Sequence, residues 1–238
     1  MKSIQDKIIE INSLLIQRFG FPDRKKKLPD AVDMLIATIL SQNTNDRNSY
    51  QAFKNLKKKF PKWESAASAK RVEIEREIKI AGLGLQKSKA IKNVLRAIQK
   101  MNNRISLDYV KKLNNESAMT ELTKFEGVGV KTASCVLLFS LNRNICPVDT
   151  HVHRTANRIG LVNTKTPDKT FLELNKNFPD KIAHSFHTNL IRLGREICRP
   201  TKPNCSVCPI KKLCVYKAKN FTNENDYREN SFMLLDNV

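Results

Sequence analysis

Four cysteines near the C-terminus are spaced to bind a metal centre. Cys198, Cys205, Cys208 and Cys214 occupy a 17-residue stretch with the pattern C-x6-C-x2-C-x5-C. Structural zinc usually uses two tight pairs of Cys or His that lie far apart in sequence. This segment has one tight pair with a single cysteine on each side, and such longer, unequal loops suit four thiolates around a larger body. The spacing therefore favours a [4Fe–4S] cluster over zinc.

The residues around these cysteines predict a loop and argue against a packed helix face. Pro200, Pro203 and Pro209 interrupt the segment, and proline breaks a helix interior. Cys135 and Cys146 fall outside the loop and are predicted to be buried small hydrophobic residues. Six cysteines in a chain with no visible export signal fit metal binding in a reducing compartment better than disulfides.

A glycine-rich turn followed at once by a lysine is the second feature that could support chemistry. In the segment F-E-G-V-G-V-K-T-A, Gly127 and Gly129 let the backbone turn sharply between two helices and approach a phosphate closely. Val130 follows, where the positive end of the next helix dipole faces the same anion. The turn therefore predicts a site that binds a nucleic-acid backbone without reading its sequence. A glycine that only ends a helix has the same pattern.

Lys131, directly after the turn, has two interpretations. It is either a cation that contacts phosphate or solvent, or a desolvated amine that forms a Schiff base with a sugar C1′. Asp149, in the segment P-V-D-T-H, is predicted to cap a helix, and a carboxylate there could also stabilise an oxocarbenium-like sugar. His151 and His153 have no partner ligands nearby, so packing or DNA contact is expected for them.

The elements that must position these residues are helices. Apolar residues recur at helical spacing almost throughout, and no sustained alternation or hairpin dipeptide indicates a strand. We therefore predict an all-α fold. The expected helices lie at about 4–19, 34–40, 50–60, 68–80, 86–101, 107–113, 118–125, 132–141, 149–159, 171–178 and 181–193.

Composition narrows the class of partner. The chain has 238 residues, 40% of them hydrophobic, and its 43 Lys and Arg against 23 Asp and Glu give a net charge of +20. That excess favours a polyanion, either nucleic acid or an anionic membrane surface, although a lysine-rich solvated surface has the same charge. No apolar run approaches the roughly 20 residues that span a bilayer. We expect a cytoplasmic, nucleoid-associated monomer without membrane contact.

Taken together, the F-E-G-V-G-V-K-T-A hairpin, the P-V-D-T-H segment and the cysteine loop resemble the endonuclease III family of the helix-hairpin-helix DNA glycosylase superfamily. The resemblance runs from about residue 30 to about residue 217. It implies a six-helix barrel domain at 25–143, with the helix-hairpin-helix at about 118–140, and an iron–sulfur cluster domain formed by 1–24 and 144–217. It also implies a DNA-binding cleft between the two domains, while a polar, poorly ordered tail is expected at 218–238.

The resemblance implies roles for individual residues. Lys131 matches the Schiff-base nucleophile, Asp149 matches the essential carboxylate, and the four cysteines match the ligands of a [4Fe–4S] cluster. The implied activity is base-excision repair: a DNA glycosylase with AP lyase activity removes damaged bases, above all oxidised pyrimidines, from double-stranded DNA. A lysine at position 131 argues against the adenine-mismatch branch, which keeps the cluster but lacks this lysine.

Two loops are similar to segments that enter DNA in this family. The segment Gly84–Ala90 resembles a wedge loop, in which a leucine enters the base stack. The resemblance implies that Leu85 is this leucine, with Leu83 as the alternative. Both leucines could instead be core residues at a turn. Ser41–Asp46 resembles the loop that fills the gap left by the flipped base. Well-known members have alanine and then glutamine after the serine, whereas this chain has Gln42 and then Asn43, so either side chain could fill the gap.

Three alternatives remain. A mismatch-specific uracil or thymine glycosylase would share the scaffold and differ in its pocket, because the pocket sets the substrate. A non-catalytic damage-recognition protein would use the same hairpin, but it would have no use for Lys131 and Asp149 together. An electron-transfer protein would need neither the hairpin nor the carboxylate.

Overall fold

A computed structural model describes residues 3–24, 26–222 and 238 of this chain. The described residues form helices and loops without a β-strand, which confirms the all-α prediction. They divide into two compact units. We call the unit that contains Arg24 to Arg143 the hairpin unit, and the unit made of the described residues up to Asp23 and from Asn144 to Thr222 the cysteine unit. Of the predicted polar tail, residues 223–237 lie outside the described part of the chain.

The hairpin unit is built around one very apolar helix. Its helices are α2 (Ala31–Leu40), α3 (Asp46–Lys59), α4 (Trp63–Ser68), α5 (Arg71–Ile78), α6 (Gly84–Asn102), α7 (Asn115–Thr123) and α8 (Val130–Cys135). Every residue of α2 except Asp33 is buried, and the helix packs against α3, α6 and α8. The Asp30 side chain caps α2 by accepting hydrogen bonds from the amides of Val32 and Asp33. Burial in the core therefore fixes the position of the C-terminal end of α2.

Several boundaries differ from the sequence prediction. The helix predicted at 68–80 begins later, at Arg71, because the chain is extended at Ala69 and Lys70 and the Glu73 side chain caps the Lys70 amide. After Ile78 it continues as 3-10 helix over Lys79–Ala81. Helix α4 was not predicted; it begins at Trp63, whose buried ring anchors so short an element. The predicted helix at 107–113 is 3-10 helix over Asp108–Lys112, and α8 continues as π-helix over Val136–Ser140.

In the cysteine unit, the N-terminal helix is tied to helices from the other end of the chain. Its helices are α1 (Ile4–Phe19), α9 (Thr150–Ile159), α10 (Pro167–Asn175) and α11 (Ala183–Glu196). The Lys7 ammonium donates to the carbonyl of Ile159 at 2.8 Å, and Ser185 Oγ donates to Asn12 at 3.0 Å within the core. Among the described residues, no helix combines the length and apolar character needed to cross a bilayer.

Helices α9 and α11 approach closely where α11 carries a glycine. A Cβ built on Gly194 would lie 2.9 Å from His151 Cβ and 3.1 Å from its Nδ1. Real Cβ atoms do not come so close, and the obstructing atom is itself held by the backbone of α9. The absence of a side chain at Gly194 thus sets the contact between the two helices.

We predict that Gly194→Ala lowers the free energy of unfolding by about 1–3 kcal/mol, because overpacking outweighs the better helix propensity of alanine. Thermal denaturation measures the effect. Gly84→Ala is the matched control: its Cβ would meet only the flexible Glu75 side chain, at 3.2 Å, so stability stays the same or rises. An unchanged melting temperature for Gly194→Ala would contradict the packing argument.

Candidate functional site

The glycine turn between α7 and α8 has the geometry that its sequence predicts. Gly127 has a φ of +85°, and a Cβ there would lie 3.0 Å from Ala90 Cβ on α6. Both the left-handed backbone and the close approach require glycine. Buried Val128 holds the turn, because its amide donates to the Phe125 carbonyl at 3.0 Å.

Gly129 leaves the start of α8 open. It is the N-cap residue, no side chain caps the helix, and a Cβ at this position would meet nothing within 4 Å. Val130, the first residue of α8, is half-buried beside it. The first amides of α8 therefore have no side-chain acceptor at the cap, and uncapped amides at a helix N-terminus attract anions. The arrangement suits a phosphate that approaches the backbone directly.

Lys131 lies on the first turn of α8, and its half-buried side chain reaches the end of α2. Its Nζ donates to Ser41 Oγ at 3.5 Å, and Ser41 Oγ donates in turn to the Thr38 carbonyl at 2.8 Å. The structure thus brings the hairpin lysine to the beginning of the loop predicted to fill the gap in DNA. Sequence reasoning placed Ser41 in that loop but gave no sign of its contact with Lys131.

Two exposed loops carry the side chains predicted to enter DNA. Gln42 and Asn43 are both exposed, and Asn43 has a left-handed φ of +51°. Leu83 and Leu85 are 45% and 54% exposed, so the interpretation of either as a core leucine is wrong. Helix α6 begins two residues earlier than predicted, which places Leu85 in its first turn and leaves Leu83 just before it, with a φ of +49°.

Lys87, from the same predicted wedge loop, points into the core. Its side chain is 2% exposed, and its Nζ donates to the carbonyls of Leu40 and Ala81, both at 2.8 Å. Burial lowers the pKa of Lys87 to about 8, because desolvation disfavours the charged form. The sequence could not single out this lysine among its many exposed neighbours.

Asp149 is the N-cap residue of α9, as predicted. Its carboxylate accepts a hydrogen bond from the Val152 amide at 2.8 Å. Asp149 belongs to the cysteine unit, whereas Lys131 belongs to the hairpin unit. His151 lies in the first turn of α9 and packs against α11, and burial lowers the pKa of its imidazole. Its Nδ1 lies 3.2 Å from Arg154 Nη2. The observed contacts of His151 are therefore packing contacts within the unit, and its contact with DNA stays a prediction.

The four clustered cysteines line one cavity. Cys198, Cys205, Cys208 and Cys214 surround a solvent-open space of about 410 Å³, together with apolar residues such as Ile197 and Ile210. Across the described residues, no three His, Cys, Asp or Glu side chains are grouped to hold a single metal ion. Cys135 and Cys146 lie elsewhere and are fully buried, as predicted.

Burial works against the charged form of two of these thiols. It raises the pKa of Cys198, and it raises the pKa of Cys208 to about 12. Arg158 opposes this effect at Cys198, because its guanidinium donates to the sulfur at 3.4 Å. Thiolates at these two positions therefore need compensating positive charge, which a bound metal centre would supply.

Arg158 also fixes the path of the cysteine loop. Its guanidinium donates to the carbonyls of Arg199 at 2.7 Å and Pro200 at 2.9 Å, and it lies 4.3 Å from the ring centroid of Tyr216. Its own carbonyl accepts from Cys214 at 3.2 Å. One side chain of α9 thus joins both ends of the loop. The sequence carried no signal for this role, because Arg158 lies forty residues before the first cysteine of the loop.

Comparison with known proteins gives consistent similarities. The family model of the HhH-GPD superfamily base excision DNA repair proteins matches residues 36–180. An Arabidopsis thaliana protein provisionally named a DNA glycosylase is 41% identical over 73% of this chain and 59% of its own length. Endonuclease III of Thermotoga maritima is 33% identical over 88% of this chain and 92% of its own length.

Solved structures show the same fold. A non-covalent endonuclease III–DNA complex is similar with a TM-score of 0.75 and 24% identity, covering 90% of this chain and 96% of the other. A thermostable thymine-DNA glycosylase is similar with a TM-score of 0.73 and 22% identity, covering 90% of this chain and 98% of the other.

We predict that Arg158→Met loosens the cysteine loop in the metal-free protein. Two loop carbonyls and one sulfur lose a charged donor, and a hydrogen bond to a charged group contributes about 1.5–3 kcal/mol. The thiols of Cys205, Cys208 and Cys214 should then react with a dithionitrobenzoate reagent at least about fivefold faster, since 1 kcal/mol in local opening is about that factor. Cys198 is left out of the comparison, because Arg158 also favours its reactive thiolate. Arg18→Met, which removes an exposed arginine of α1, is the control and leaves the rate unchanged; equal rates for both variants would refute the role of Arg158.

Proposed function

The chain belongs to the HhH-GPD superfamily of base excision DNA repair proteins, and from that membership we propose that it is a DNA glycosylase with an associated AP lyase activity. Its similarity to endonuclease III over nearly the full length of both chains supports the assignment. The observation that carries the lyase step is the position of Lys131. It follows an open glycine turn and reaches Ser41 at the end of the buried helix α2.

The proposed substrate is duplex DNA with one damaged nucleotide turned out of the stack. The uncapped amides after Gly129 would hold a backbone phosphate without reading sequence. Exposed Leu85 would act as the wedge, with Leu83 as the alternative, and Gln42 or Asn43 would occupy the gap. These roles rest on the exposure of all four side chains and on the resemblance of their loops.

In the proposed reaction, Lys131 Nζ attacks C1′ of the flipped nucleotide. The new C–N bond forms as the N-glycosidic bond breaks, the bond electrons leave with the base, and the base takes up the proton that the attacking amine loses. The C1′–O4′ bond then opens, O4′ takes its electrons and a proton, and C1′ becomes a protonated imine. This imine acidifies C2′, and loss of a C2′ proton expels the 3′ phosphate by β-elimination. Asp149 would stabilise the positive charge that develops on the sugar.

We propose oxidised pyrimidines as the base substrates and a [4Fe–4S] cluster as the cofactor. Cys198, Cys205, Cys208 and Cys214 would hold the cluster, which would supply a rigid cross-link of the loop when bound. The cavity that the four thiols share and their unequal spacing in sequence support a cluster over zinc. The loop also carries basic residues suited to phosphates.

The central test is borohydride trapping on duplexes that contain thymine glycol, an abasic site, a G·U pair or no lesion. We expect a covalent adduct with thymine glycol that is absent in Lys131→Ala, because the imine requires the amine. Lys112→Ala, which removes an exposed lysine of the same unit, is the control and keeps the adduct. Asp149→Asn should keep the melting temperature, since asparagine caps helices as well as aspartate, but slow base release by about 100-fold or more.

Each other outcome has a definite meaning. An adduct at the abasic site alone would retain the lyase and exclude oxidised pyrimidines as the base substrate. Release of uracil from G·U would instead indicate a mismatch glycosylase. Base release without any adduct would make water the nucleophile and Lys131 a binding residue, and binding without release or adduct would leave a recognition protein.

The cofactor proposal predicts that protein loaded with iron and sulfide holds four of each per chain and absorbs in the visible blue. Cys208→Ser should lose most of the iron, because four thiolates are required. Cys135→Ala, a buried cysteine outside the cavity, should retain it. One zinc per chain with no bound sulfide would overturn the cluster proposal.

A further inference from the structure

Lys87 is a lysine of the hairpin unit whose side chain is buried in the core. The chain has 43 Lys and Arg, yet this lysine is fully buried, and its ammonium lies between two backbone carbonyls that come from separate parts of the chain. An apolar residue would fill the same space without the cost of burying a charge. A buried lysine therefore indicates that its two hydrogen bonds are required.

The two carbonyls lie immediately before the two exposed loops. Leu40 ends α2 and precedes Ser41, Gln42 and Asn43. Ala81 ends a 3-10 helix and precedes Gly82 and Leu83. Helix α2 has no basic residue in its own last turn, so the Lys87 ammonium supplies the positive charge that a helix C-terminus favours.

Both loops then enter left-handed backbone. Asn43 lies three residues after Leu40 and Leu83 lies two residues after Ala81, with φ values of +51° and +49°. Asparagine adopts this conformation readily, but for leucine it is strained and persists only where the surrounding structure imposes it. The ammonium of Lys87 fixes the chain just ahead of Leu83 and is suited to impose its conformation.

On the basis of the proposed function, we propose that Lys87 is a positioning residue that sets the spacing between the gap-filling loop at Ser41–Asp46 and the wedge turn at Gly82–Leu85. Ser41 belongs to the first of these loops and contacts Lys131. The same tie therefore also places the hydroxyl that accepts from the Lys131 amine. Because its side chain is buried, we assign Lys87 no direct contact with DNA or with the reacting atoms.

The test measures kcat and KM for base release together with the emission of 2-aminopurine placed opposite the lesion. Lys87→Met should lower kcat by about 10- to 100-fold with little change in KM, because a displacement of about 1 Å costs this much while phosphate binding is kept. The lesion-dependent emission change should fall in parallel. Lys100→Met, an exposed lysine at the other end of α6, removes the same charge and leaves all three quantities unchanged.

Lys87→Arg covers the case in which Lys87→Met does not fold. It keeps the cation but is longer and planar, so it should fold, keep KM and still lower kcat. Wild-type kcat and emission in either folded variant would overturn the spacing role. If the wild-type protein changes the emission but releases no base, and Lys87→Met or Lys87→Arg abolishes that change, the glycosylase assignment fails while the role of Lys87 stands.

Discussion

Burial of α2 is the constraint on which the hairpin unit depends. A helix with almost every side chain in the core cannot shift, so the backbone that follows Leu40 begins at a fixed point. Three features use that point: Ser41 accepts from Lys131, Lys87 binds the Leu40 carbonyl, and the exposed Gln42 and Asn43 follow at once. An exposed loop thus starts from a buried helix, which suits a site that must hold a nucleotide in one geometry.

In the cysteine unit, the loop that carries the four cysteines has no regular secondary structure to position it. Residues after α11 make few helical hydrogen bonds, so their path depends on side chains from elsewhere. Arg158 supplies donors to the loop carbonyls, and the four thiols face one cavity. Burial raises the pKa of Cys198 and Cys208, so thiolates at these two positions would need the positive charge of a bound metal centre.

Much of this arrangement could be predicted from sequence, and the reason lies in which features are local. Helical periodicity located most helices, and the Asp149 cap and the glycine turn follow from residues within one or two turns of each other. Prediction failed where tertiary contact overrides local preference. The buried Trp63 creates the short helix α4, and the segment at Asp108–Lys112 tightens to 3-10 helix.

By itself the sequence determined the helical class, the four-cysteine loop and the lysine after the glycine turn, because each depends on residue type and short spacing. Only the tertiary structure decided that Lys87 is buried between two carbonyls, that Arg158 joins the cysteine loop and that Ser41 meets Lys131. These contacts join residues up to ninety positions apart in the chain. No local pattern encodes them, since lysine and arginine are abundant here and their burial depends on how the helices pack.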